Sequence, residues 1–107
     1  MSIDFYGKTE AGGFVSLPHD HRAALNMSYG NASVVLGLFG LEIVDGYGEA
    51  PVSRLREGLV TARAKLPTLT ERERYGRSCD YLEMRLEDLS RCIDALVALG
   101  AHTIYWA

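Results

Sequence analysis

One stretch limits the fold more than any other: "TERERYGRSCDYLEMRLEDLSRCIDALVALG", residues 70–100. Tyr75, Cys79, Leu82, Leu86, Leu89, Ile93 and Leu96 recur at alternating steps of four and three. That spacing lines one face of a helix with apolar side chains and is also the spacing of a coiled-coil seam. Thr70 with Glu73 three residues later reads as a capping box at its start, and Gly100 as the cap at its end. Thirty helical residues would span ~45 Å. A compact chain of this length has a diameter of only ~35 Å, from a radius of gyration of ~13 Å. Two outcomes reconcile the lengths. Either the helix breaks at Gly76 and Ser78 recaps the remainder, or it projects and a partner covers it. Its end, "CIDALVALG", is apolar on several faces and must be buried, whereas "TERERYGRS" is a solvated sequence.

Two further helices precede it. "SYGNASVVLGLFGLE" places Ser28 at an N-cap, Gly40 at a left-handed C-cap, and Leu41 back against the last turn. It is apolar nearly all round, as a central buried helix would be. Val52, Leu55, Leu59, Ala62 and Leu66 form the stripe of an amphipathic helix that starts at Pro51 and ends before Pro67. The chain's beginning reads as a hairpin: Ile3-Asp4-Phe5-Tyr6 and Phe14-Val15-Ser16-Leu17, joined through Gly7, Gly12 and Gly13. Glu42-Ile43-Val44 is expected as a brief strand. Thr103-Ile104-Tyr105-Trp106 is expected to return to the hairpin as a third strand. The predicted architecture is therefore α+β over 1–107, one domain: an N-terminal β-hairpin and a C-terminal strand in a small sheet, packed against three helices, the last one long.

With 48% apolar and 23% charged residues, the chain has ordinary globular usage. No run approaches the ~18 apolar residues of a membrane span, and the start shows no basic-then-apolar leader. Cys79 and Cys92 lie thirteen residues apart on one predicted helix, ~20 Å along its axis, too far for a disulfide. Reduced thiols without a leader point to the cytoplasm.

The net charge of −3 is segregated. Residues 51–77 hold Arg54, Arg56, Arg63, Lys65, Arg72, Arg74 and Arg77 against three acids, while both flanks are acidic. This basic middle can neutralise the chain's own acidic parts, or those of a second copy, and that is the preferred reading. Alternatively, Arg54, Arg63, Lys65, Arg72, Arg74 and Arg77 converge on a small anion, aided by the helix start at Ser28. Nucleic acid is disfavoured: Glu57, Glu71 and Glu73 interrupt the basic face and the chain is acidic overall.

The motifs that suggest catalysis do not hold. Gly7-Lys8-Thr9 ends like a phosphate loop, but position 2, where the first glycine belongs, is Ser2, and no strand can precede it. Gly46-Tyr47-Gly48 fails as a dinucleotide fingerprint because its third glycine would be Pro51. Ser28 lacks the glycine of a nucleophile elbow, being preceded two positions earlier by Asn26. His19, His21 and His102 are the only candidates for a metal or an acid–base site. The expectation is a protein–protein interaction module, homodimeric, without catalysis, cofactor or membrane partner. Its candidate interface residues are Leu82, Leu86, Leu89, Tyr105 and Trp106.

Overall fold

The computed structural model describes all 107 residues. Its elements, in chain order, are β1 (Ser2–Thr9), β2 (Phe14–Val15), β3 (Asn26–Ser28), α1 (Tyr29–Leu38), β4 (Gly48–Pro51), α2 (Val52–Lys65), α3 (Cys79–Ala98) and β5 (Ala101–Trp106). All strand pairs are antiparallel, in the order β2-β1-β5-β4, with β3 on the remaining half of the β1 edge. The hairpin and the returning C-terminal strand are thus present, and β1 and β5 form the centre. A single core of buried side chains joins the inner face of this sheet to all three helices. The radius of gyration is 13.2 Å. No helix is long and apolar enough to cross a membrane.

The long apolar segment takes the broken form. Thr70 and Glu73 do build the reciprocal capping box: the Thr70 N–H donates to the Glu73 carboxylate at 2.9 Å and the Glu73 N–H to Thr70 Oγ1 at 3.1 Å. The Thr70 backbone N–H, and after it the Thr70 side chain, hold the Glu73 carboxyl below its ordinary value. The turn so started is closed at once. Tyr75 and Gly76 both adopt positive φ (52° and 75°), and the Gly76 N–H donates back to the Glu71 carbonyl at 2.9 Å. That 6→1 bond is the helix-stop geometry. Ser78 then recaps, accepting from the Tyr81 N–H at 3.1 Å. The remaining 20 residues of α3 span ~30 Å, within the 40 Å longest extent of the molecule.

Helix α1 follows its sequence signals. Ser28 Oγ accepts from the Asn31 N–H at 3.2 Å, and the Leu41 N–H reaches the Leu36 carbonyl at 3.0 Å beyond Gly40 at φ 72°.

Two strand assignments change. Glu42-Ile43-Val44 is not a strand. Asp45 and Gly46, both at positive φ (54° and 87°), make a tight two-residue turn that pairs Val44 with Tyr47, the geometry that Asp-Gly favours. The sheet strand begins only after it, as β4, paired with β5. Its first residue is glycine for a steric reason: a Cβ at Gly48 would lie 2.4 Å from Trp106 Nε1. Strand β3 was not foreseen at all. It has three residues, with only Met27 buried between exposed neighbours, too short a run for alternation to mark it as a strand.

Candidate interaction surface

The leucine stripe is not a surface. Leu82, Leu86 and Leu89 are at most 1% exposed, and Ile93 and Leu96 are buried with them. The chain's own core covers the stripe, because the break at Gly76 lets α3 lie across the inner face of the sheet beside α1 and α2. The assignment of Leu82, Leu86 and Leu89 to an interface between chains is corrected accordingly. Trp106 is corrected too: it points inward and is 1% exposed, with its indole N–H buried and without an acceptor.

Tyr105 has the opposite placement, because successive strand residues point to opposite faces. Phe5, Ile104 and Trp106 go to the core; Tyr6, Lys8 and Tyr105 go to the other face, which no helix covers. There the register sets Tyr6 opposite Tyr105 and Lys8 opposite Thr103. Four aromatic rings gather on it. The Tyr105 centroid lies 6.2 Å from Tyr6, 5.6 Å from Phe14 in an edge-on arrangement, and 6.0 Å from Tyr47. Lys8 Nζ sits 5.0 Å from the Tyr105 centroid and 5.3 Å from that of Phe14, and also pairs with Glu49 at 2.8 Å. Phe14 is 64% exposed and Tyr47 52%. At the end of the same face Asn26 donates to Asp4 at 2.7 Å. Partial burial, then the negative charge of Asp4, pushes the Tyr6 phenol above its ordinary value.

The sequence puts Tyr6, Phe14 and Tyr105 in one sheet and names Tyr105 as an interface residue, but gives no such place to Tyr47. The available signal was the Asp45-Gly46 turn. Such a turn, followed by a short strand that pairs with the C-terminal one, brings the residue after it onto the sheet.

The basic residues do not converge. Arg63 contacts two carboxylates of α3, Glu87 and, at 3.5 Å, Glu83. Arg56 pairs with Asp94 at 2.8 Å. Arg77 donates to Asn31 and to the Tyr75 carbonyl, and Arg74 to the Arg77 carbonyl. Arg54 and Lys65 share a groove at the C-terminal end of α1, where the helix dipole is negative and opposes an anion. Arg72 is exposed. The basic middle is therefore largely engaged with the chain's own acids and carbonyls.

Nor do the histidines assemble. His21 Nδ1 accepts from the Ala23 N–H at 3.0 Å. His19 lines a cleft beside β1 with Tyr6 and Leu17, whereas His102 lines a different groove with Val52, Arg56 and Val97. No three His, Cys, Asp or Glu side chains lie close enough together to hold one metal ion.

No protein-family model, curated protein or solved structure matches this chain.

Proposed function

We propose that the protein is a small protein–protein interaction module that pairs with a second copy of itself through the outer face of its sheet, without catalysis of its own. The observation behind this reading is the cluster of Tyr6, Phe14, Tyr47 and Tyr105 around Lys8 on a sheet face left open to solvent. Aromatic side chains are the usual anchors of protein interfaces. A face of stacked rings can also receive unpaired bases, but such sites sit in a basic groove. Here the cluster's cation is already paired with Glu49, and Asp4 lies on the same face.

Magnitudes set the expected strength. Rings of ~150–250 Å² each, exposed to the degree seen here, leave on the order of 300 Å² of aromatic surface. At ~25 cal/mol per Å² burial of the patch on both copies, ~600 Å² in all, contributes ~15 kcal/mol. Association costs ~4–15 kcal/mol before side-chain ordering, and ~600 Å² is well under the ~1,200 Å² of a stable interface, so the rings alone give a weak, reversible contact. A two-fold arrangement lets the patch face itself, with the Lys8–Glu49 pair kept within each copy.

A reducing, cytoplasmic setting suits both thiols, which are free. Sedimentation velocity from low to high micromolar concentration tests the reading. A monomer–dimer equilibrium with a midpoint in that range is expected. A strict monomer throughout would contradict self-association.

A further inference from the structure

A different part of the molecule carries a charge arrangement that its own chain does not neutralise. Where the segment 22–26 crosses α3, a polar pocket of about 240 Å³ opens between Arg22, Arg85 and Arg91, with Ala23 and Ala24 on its wall and Asp88 at its side. Arg85 is held in place. Its side chain is 17% exposed, and its guanidinium donates to Asp88 Oδ2 at 2.9 Å and to the Asn26 carbonyl at 2.9 Å. Its Nε–H is buried with no acceptor. Arg91 donates to the other oxygen of Asp88. Arg22 makes no ion pair.

The balance here is the reverse of that at Arg63. There one guanidinium faces two carboxylates; here Arg85 and Arg91 share the one carboxylate of Asp88, and Arg22 lines the same pocket without an ion pair of its own. Two positive charges stay unmatched around a cavity with little apolar lining. Guanidinium groups present planar donor forks that suit tetrahedral oxyanions, and a phosphomonoester carries −1.5 to −2 charge at neutral pH. Because Asp88 and Asn26 already fix Arg85, little side-chain freedom is lost when an anion arrives, which favours binding.

We propose that this pocket binds the phosphoryl group of a small phosphomonoester, with Arg85 as the fixed donor and Arg22 and Arg91 closing on it. The site shares no residue with the aromatic patch, so it stands or falls independently of self-association.

The test is a titration of the full chain with glycerol 3-phosphate, followed by amide and arginine Nε–H chemical shifts. Sodium chloride at equal ionic strength and glycerol serve as controls. Saturable shifts are expected at Ala23, Ala24, Asn26 and the Arg85 Nε–H. The double variant Arg22→Gln/Arg91→Gln should raise the dissociation constant by about tenfold or more, as expected for losing charge-assisted hydrogen bonds. Arg22→Gln alone, at an exposed loop position, weakens binding in the same direction and serves if the double variant fails to fold. Shifts reproduced by either control, an absence of saturation, or variants that bind like the parent would overturn the assignment.

Discussion

Tyr105 and Trp106 are neighbours in sequence and similar in chemistry, yet they occupy opposite sides of one strand. Trp106 is enclosed by the core; Tyr105 stands at the centre of an uncovered aromatic cluster. The same division runs along β1, with Ile3 and Phe5 inside and Tyr6 and Lys8 outside. The inner face is what the helices consume. The outer face offers comparable side chains but nothing in the chain to put over them. Aromatic content alone therefore says little about stability or binding in this protein. Strand parity decides which role each ring takes, and stability and association should separate cleanly between the two faces.

The largest effects should come from the inner face. Trp106→Ala is expected to destabilise the fold by about 3–5 kcal/mol and Leu86→Ala by about 2–5 kcal/mol, as core truncations do. Urea denaturation measures both. If either were neutral, the division between faces would be lost. Gly48→Ala comes next. Its new Cβ would sit 2.4 Å from the Trp106 indole, and the strain of overpacking should cost about 1–3 kcal/mol in the same assay. Tyr105→Ala should cost about 1 kcal/mol or less, from its lost ring contacts, while weakening association. A Tyr105→Ala loss as large as that of Trp106→Ala would show the outer cluster to be structural.

Thiol chemistry sharpens the same contrast without touching the fold. Burial pushes the Cys92 thiol up to about 11, whereas Cys79 is partly accessible near the start of α3. At pH 8 a thiol-specific disulfide reagent should titrate Cys79 in the native protein and reach Cys92 only on unfolding. The sign of the pH effect follows: a raised thiol pKa favours the protonated folded state, so this contribution is fully present below pH ~9 and is lost as pH climbs towards ~11. Equal reaction of both cysteines in the native state would contradict the burial of α3's inner side.

Much of the fold was legible in the sequence, because the governing signals are local. Ser28, the Gly40–Leu41 stop, the Thr70–Glu73 box and Ser78 each act within a turn of their own position. The length conflict in residues 70–100 left two outcomes, and the paired positive-φ residues Tyr75 and Gly76 select the break. Strands β3 and β4 were missed since short, irregular strands depend on a neighbour that supplies their pairing; Gly48 makes sense only once Trp106 is above it. Candidate surfaces were harder still. A leucine stripe looks the same whether it meets another chain or its own sheet, and charge segregation along the sequence does not reveal that Arg63 reaches Glu83 and Glu87. Nor did linear reading bring Arg22 to Arg85 and Arg91, which are about sixty to seventy residues away and share a pocket only where a loop crosses a helix.

Self-association through the outer sheet face is tested most directly by comparing the parent chain with Phe14→Glu/Tyr47→Glu, at the two most exposed rings of the cluster, in sedimentation velocity and thermal melting. The expected result is a parent that dimerises at high micromolar concentration and a variant that stays monomeric with a melting temperature close to the parent's. A parent that never dimerises, or a variant that dimerises as well as the parent, would contradict it.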